Sequence, residues 1–567
     1  GGETNGPRDN AGVFSKEQQP TSQVDLGFAG GLQLPEGLEA GESFLVKRTY
    51  NVAQSAVNSD VSIAYVASTD QTLGNADDVV LGTERISTAQ AKSVGQHLGN
   101  SPRLEISKPG NYTLFARIDH DNRVAESNET NNVAQTSRIT IAPSNWYVPR
   151  RSADTRVVYV SSSSGDDRNS GLTPEAPKKS IAAGKALLRD GSPDWLLLKK
   201  GDVWNEAVGQ IRISGRSQDE PIVISSYGDS KERPLLKTGA ADGISTTGAN
   251  RSPLSINNVV VTGIHFHANT RDPDSPDFRG PDGGNGVNWL RGTTGVLVED
   301  CVFDSYKTGM VFQDFDKQGQ TNVQLRRNII VDSYNTVGHS QGIFTDGVDG
   351  LLMEENFFDH NGWNNRVAGG EATIFNHNIY IQYTNRNVVL RNNIIARGSS
   401  HGAQLRPGGV AEGNLFLANS INLMFWNDST GVIRDNVILN AKDITADLPR
   451  GWGIDLTNVT SVELTNNIVA NISSNSPNRF AIRNSPNARY AGNTVYNWGN
   501  DPMTTRDTLV DTSRSIESYY ESVGGVANLD SFLNDLRNQS KDDFRAEMSA
   551  SSANAYIRQG YTPVQGR

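Results

Sequence analysis

Between residues 27 and 142 the chain alternates apolar and polar positions in short runs: "FLVKRTYNVA" (Phe44–Ala53), "DVSIAYVAS" (Asp60–Ser68) and "GNYTLFARID" (Gly110–Asp119). A period of two between clusters of turn residues predicts an antiparallel β-sandwich. From Tyr159 the pattern changes. A strand, a Gly-Asp-Asp turn and a short amphipathic helix carrying Ile181, Ala182, Leu187 and Leu188 predict a cap on the open end of a β stack. Nine segments then repeat an apolar frame, from "VTGIHF" to "YAGNTV". They place Ile264, Cys301, Asn328, Asn356, Asn393, Asn414, Asn436, Asn467 and Asn493 at one equivalent position, with spacings from 21 to 37 residues. A fixed short core with variable loops predicts stacked coils, with the Asn amides bonding from coil to coil. The tail from residue 513 follows a helical period and is expected to pack along the stack or to cap it.

Between the Asn-bearing strands lies a second series: "GIFTDG", "NIYIQY", "GAQLRP", "NLMFWN" and "GIDLTN". Strand alternation turns Ile343, Ile379, Ile381, Leu405, Leu423, Phe425, Ile454 and Leu456 inward. It turns Phe344 and Asp346, Tyr380 and Gln382, Gln404 and Arg406, Met424 and Trp426, and Asp455 and Thr457 outward. Five rungs at about 4.8 Å form a strip roughly 20 Å long, the scale of a few sugar rings. Its aromatics suit stacking on sugar faces, and its amides, carboxylates and guanidinium suit oriented hydrogen bonds. Four of the eight histidines, His339, His360, His377 and His401, fall in this part, and His377 and His401 hold the same place in adjacent coils.

The segments "STDQTLGNADDVVLG" (Ser68–Gly82) and "DHDNRVAESNETNN" (Asp119–Asn132) resemble the CARDB family of bacterial, immunoglobulin-like, cell-adhesion-related modules. The Asn-bearing repeat resembles the right-handed parallel β-helix of secreted polysaccharide lyases, glycoside hydrolases and epimerases. The expected fold is all-β: a flexible tether over 1–26, a CARDB-like β-sandwich over 27–142, a linker over 143–158, a parallel β-helix over 159–512 and a helical cap over 513–567, with short capping helices at both ends.

The net charge of −11 argues against nucleic acid as a partner but leaves room for an acidic polysaccharide held locally by Arg and Lys. A single cysteine, Cys301, excludes a disulfide framework. The opening "GGETNGPRDNAG" lacks an initiator Met, so a removed leader and a secreted, periplasmic or cell-surface bacterial location are expected, with attachment through the tether and a monomeric state.

For chemistry, the strip offers what β-elimination from a uronate requires. Arg406 would pair with the sugar carboxylate, His377 or His401 would take the adjacent proton, and Tyr380 would act as acid or base. His339, Phe344, Asp346, Gln382, Gln404, Trp426, Arg450 and Asp455 would bind the glycan. The best-known β-helix lyases place an Asp-rich Ca2+ site beside an Arg or Lys base, and the strip has no such acidic cluster. No cofactor is therefore required on this reading. Ca2+ stays open as an alternative, through Asp119, Asp121, Glu126, Asn128 and Glu129 of the N-terminal domain, although turn stabilisation is the preferred role for those residues. Zinc at His339, His377, His401 and Asp346 is a minor alternative, since no HxH or HExxH spacing joins them. Hydrolysis using Asp346 with Asp349, Glu371 or Asp455 is the runner-up, and a non-catalytic glycan-binding adhesin is the third reading. The insertions Ala268–Gly286 and Asn361–Asn376 are expected to wall the groove.

Overall fold

The computed structural model describes residues 24–35, 38–141, 146–248, 251–445, 449–483 and 485–564. Most of the expected tether (to residue 23) and residues 142–145 at the expected linker lie outside the described residues. The chain divides into two compact units, residues 1–146 and 147–567.

In the first unit, Val24–Phe28, Lys47–Gln54 and Gly95–Asn100 form one antiparallel sheet. Ile139–Ile141, Gly110–Ile118, Val61–Ser68 and Val79–Ile86 form another, with Val133–Gln135 on its side. Alternate residues of both sheets, among them Leu26, Tyr50, Val52, Ile63, Tyr65, Leu114 and Ile118, close into one apolar core. This is the sandwich that the period-two pattern predicts. Residues 24–26, placed in the tether by sequence, belong instead to its first strand.

The second unit is a parallel β-helix of three sheets. The first has twelve strands, from Val157–Val160 to Ala488–Ala491. The second has eleven, from Val203–Trp204 to Thr494–Tyr496, and the third has ten, from Gly209–Gln210 to Phe480–Ile482. The chain visits the sheets in turn, and each strand pairs in parallel with its counterpart one coil away. The helix Ile181–Lys185, capped by Ser180, covers the first coil; a Cβ on Gly184 would come within 2.4 Å of Val160 Cγ2.

The C-terminal helices Ile516–Ser522, Leu529–Leu536 and Ala550–Arg558 lie along the side of the stack. Their Tyr519, Tyr520, Phe532, Leu533 and Ile557 pack on Ile329, Val331, Phe357, Ile394, Leu415 and Ile468 of the second sheet. Where these helices cover it, that sheet is buried on both faces, which is why strands there read as unbroken apolar triplets such as Ile329-Ile330-Val331.

The asparagine repeat forms a buried ladder at the corner between the first and second sheets. Each Oδ1 of Asn356, Asn393, Asn414, Asn436, Asn467 and Asn493 accepts from both the backbone N–H and the side-chain Nδ2 of the Asn one coil earlier, at 2.9–3.1 Å. Each Nδ2 also donates to a strand carbonyl, as Asn393 does to Met353 at 2.9 Å. The residue before each ladder Asn adopts a left-handed conformation, from Arg327 (φ 54°) to Gly492 (φ 66°), and this turns the chain from one sheet to the next. Cys301 holds the first rung, its N–H donating to Asn328 Oδ1 at 3.1 Å.

A second amide network, at the corner between the second and third sheets, was not evident from the repeat. Asn361 donates to Asn378 (2.9 Å), Asn378 to Asn419 (3.3 Å), and Asn419 to Asn422 (3.4 Å).

Candidate functional site

The third sheet stacks its outward residues in three rows. One runs Phe344, Tyr380, Gln404, Met424, Asp455 and a second includes Trp426 and Thr457. These are the outward pairs expected from alternation, and the expected inward residues are all fully buried. Phe344, Tyr380, Arg406 and Trp426 are half-buried, whereas Gln404, Met424 and Asp455 are buried.

The third row, Gln341, His377, His401, Ile421 and Trp452, exists because alternation breaks at the strand start. His377 pairs with His401 and Ile379 with Ala403, while Asn378 and Gly402 are skipped. Asn378 and Asn422 turn inward into the amide network, and a Cβ on Gly402 would come within 2.7 Å of Asn422 O and 3.0 Å of core Phe416. Glycine is needed there for space. The histidines are thereby carried to the strip side, where the His377 ring meets Tyr380 edge-on at 5.3 Å and His401 at 4.7 Å.

Hydrogen bonding gives the two imidazoles different surroundings. The Ser400 hydroxyl lies 2.8 Å from Asn376 O and 3.0 Å from Ile374 O, so a carbonyl takes its proton. His377 Nδ1, 2.7 Å from Ser400 Oγ, therefore carries hydrogen and donates, and its Nε2 is a lone pair. The 3.4 Å approach of the His401 amide to the same Nδ1 is then a contact and not a bond. His401 Nδ1 lies 3.1 Å from His377 Nδ1 and 3.3 Å from Ser400 Oγ, and its Nε2 is a buried atom with no partner among the described residues.

Burial, reinforced by the charges of His401, Arg406 and His339, holds His377 well below the usual histidine range. Burial, with Arg406 and Arg450, pushes His401 down to about 3. Both rings are neutral at physiological pH.

Arg406 is fixed from four directions. Its guanidinium lies 4.9 Å from the Tyr380 ring centre and 4.4 Å from that of Trp426. Nε donates to Gln404 Oε1 at 3.2 Å and Nη1 to Gln382 Oε1 at 3.1 Å. Among the described residues, Nη2 has no protein acceptor, so one edge of a preorganised cation stays available for an anion.

Alternation by itself missed the far end of the strip. Trp452 stacks on Phe480 with ring centres 5.1 Å apart, and Arg483 lies over both at 5.4 and 4.8 Å. The aromatic after "PRG" and the one opening "FAIRN" carry the signal, but both sit one place before the frame of the repeat.

Asp455 is buried, pairs with Arg483 at 3.0 Å and accepts from Thr457 at 2.8 Å; burial raises its pKa. Asp346 accepts from Gln313 at 3.2 Å and from Thr384. Arg450 lies 5.9 Å from the Trp452 ring. His339 is exposed and stacks on Phe375 at 5.5 Å. Consequently His339, His377, His401 and Asp346 do not gather three ligand atoms, and zinc has no place among them. Asp349 lies in a strand of the first sheet, away from the strip.

The insertion 361–376 borders the histidine row: Gln341 donates to Phe375 O at 3.0 Å, and Ser399 donates to Thr373 O at 2.7 Å. Insertion 268–286 is joined to it by Arg366, which grips Asp274 with both terminal nitrogens at 2.6 and 2.8 Å.

In the first unit, the acidic loop bonds within its own turn and to two neighbouring strands. Asp119 accepts from the Arg123 and Val124 amides at 3.0 Å, Asp121 from Ser62 at 2.8 Å, and Glu126 from Leu26 N at 2.6 Å. Asn128 accepts from Thr130 N and Glu129 from Glu126 N, both at 3.1 Å.

Residues 68–136 match the CARDB family model. The first unit contains a CARDB domain. The chain is similar to two solved structures of the CARDB domain of a Pyrococcus furiosus protein, a crystal structure in complex with di-metal ions and a solution NMR structure. Each is 15% identical and covers 21% of this chain and 94% or 96% of the solved one, with a TM-score of 0.17. Among curated proteins, a lacto-N-biosidase of Bifidobacterium longum subsp. longum is 37% identical over 87 residues, which are 15% of this chain and 5% of that protein. The chain thus spans a small fraction of that relative's length.

Proposed function

We propose that the protein is carbohydrate-active, and that the third-sheet strip binds an acidic, uronate-containing polysaccharide and cleaves it by β-elimination. The observation that carries this reading is Arg406, a guanidinium sandwiched by Tyr380 and Trp426, tethered by two glutamines, and set beside two neutral imidazoles.

The uronate carboxylate binds the open edge of Arg406, which stabilises the negative charge that develops as the neighbouring C–H proton leaves. His377 Nε2 takes that proton. The C–H electrons form the new C=C bond, the glycosidic C–O bond breaks, and the departing oxygen receives a proton from the Tyr380 hydroxyl. An arriving carboxylate also offsets the Arg406 charge that lowers His377, so the imidazole becomes more basic as substrate binds. Trp452, Phe480 and Trp426 extend the platform for neighbouring sugars. A location outside the cytoplasm belongs to this reading, because polymeric glycans are met there.

A second reading, hydrolysis, takes support from the partial relative, a glycosidase by name. It requires two carboxyl groups about 5 to 10 Å apart. Asp346 and Asp455 sit four rungs apart in the third sheet, a separation of about 19 Å.

The test is incubation with a panel of acidic and neutral polysaccharides. Ultraviolet absorbance from an unsaturated uronate at new chain ends supports elimination. New reducing ends without that absorbance replace it with hydrolysis, and binding without products leaves only the glycan-binding role.

A further inference from the structure

On the second sheet, away from the strip, the strand His265–His267 turns two imidazoles outward while Phe266 stacks inward on Phe303, ring centres 5.0 Å apart. His265-Phe266-His267 is an HxH spacing, in which strand alternation sets two ligands on one face. The next coil places Asp304 directly beside His267. The chain then leaves this strand into the insertion 268–286, which brings Asp272 back over the same spot.

Asp304 Oδ2 lies 3.9 Å from His265 Nε2 and 3.9 Å from His267 Nε2, and Asp272 Oδ2 lies 2.9 Å from His267 Nε2. Ligand atoms of His267, Asp272 and Asp304 fall within 4.8 Å of one another. A tetrahedral ion with bonds of about 2.0–2.1 Å holds its ligand atoms about 3.3 Å apart, a value these distances straddle.

Two further observations point to a ligand. His265 Nε2 is a buried atom with no hydrogen-bond partner among the described residues, and it lies 3.9 Å from Asp304 Oδ2. The nearby cations are already engaged: Arg233 donates to Asp300 Oδ1 at 2.6 Å, and Lys237 to Asp277 at 3.0 Å. His265 also lines a cleft that Arg233 and Ser540 share, so an ion has a route in.

We infer that His265, His267, Asp272 and Asp304 form a binding site for one divalent transition-metal ion of the zinc type. Two imidazoles and two carboxylates suit Zn2+ and disfavour Ca2+ and Mg2+, which select all-oxygen sites. The ion ties insertion 268–286 to two successive coils. Because Arg366 joins this insertion to 361–376, the ion also steadies the border of the histidine row.

The full chain, stripped with a chelator, is titrated with Co2+ and then with Zn2+, while visible absorption and bound metal after dialysis are measured. One equivalent of Co2+ with an intense visible band, displaced by Zn2+, is expected. His267→Ala and Asp304→Asn should each weaken binding about 10- to 100-fold, and His339→Ala should not change it. The milder His265→Ala, checked by thermal melting, covers the case in which the others fail to fold. Absence of stoichiometric Co2+ binding to the wild type, or unchanged binding in a folded ligand variant, overturns the site.

Discussion

The asparagine ladder and the third-sheet strip are built by the same device, one side chain repeated in register from coil to coil, and they use it in opposite ways. In the ladder, every amide between Asn328 and Asn467 finds its partners within the stack. In the strip, His401 Nε2 and Arg406 Nη2 lack protein partners among the described residues, although both belong to tightly held groups. A polar stack that satisfies itself holds the fold together. One that is held rigid yet keeps bonding capacity in reserve is suited to a ligand.

The sharpest break in this comparison comes from Arg406. Arg406→Ala is expected to lower kcat/KM on the cleaved polysaccharide about 10³-fold, about 4 kcal/mol of transition-state stabilisation, without moving the melting temperature. Arg406→Lys should recover little of it, because an ammonium neither stacks between Tyr380 and Trp426 nor forks to a carboxylate. Turnover within threefold of wild type would remove the strip from the chemistry.

Asn393→Ala makes the opposite cut. It strips partners from Asn356 N and Nδ2 and from Met353 O, so a loss of about 3 kcal/mol is expected in chemical denaturation, with glycan affinity of the folded protein unchanged. An unshifted denaturation midpoint would show that the ladder contributes no stability.

The histidine pair links the two regions through pH. Both folded-state pKa values are depressed, so the unfolded chain binds protons that the folded one does not. Stability is complete above the unfolded histidine value of about 6.5 and falls as pH drops below it, by about 2 kcal/mol at pH 5 for His401, with His377 acting in the same direction. His401→Gln should flatten that slope between pH 7 and pH 5, and identical slopes in variant and wild type would contradict the burial of a neutral ring.

The smallest effect belongs to the far platform. Trp452→Ala should raise KM for long substrates about fivefold, about 1 kcal/mol, and leave kcat unchanged. A change confined to kcat would place Trp452 at the reacting bond instead.

The coil architecture was legible because seven asparagines recur in one frame, each followed by apolar residues that must face a core. The pairing of His377 with His401 followed from the same register. What stayed hidden depends on local breaks of periodicity. Alternation could not reveal that Asn378 and Gly402 turn inward and shift the histidines to the strip, nor that Trp452 and Phe480 join the same row. The partners Asn361 and Asn419 sit in loops of unequal length, so no frame aligned them. Asp272 approaches His267 only through the path of an insertion, which sequence does not specify.

Cys301 occupies the first rung of the ladder as a small, fully enclosed thiol, and burial pushes its pKa up to about 12. As the sole sulfhydryl in the chain, it is a built-in stopwatch. An alkylating reagent can reach it only when neighbouring coils part, so its labelling rate reports how often the stack breathes at that level, independently of anything bound on the third sheet.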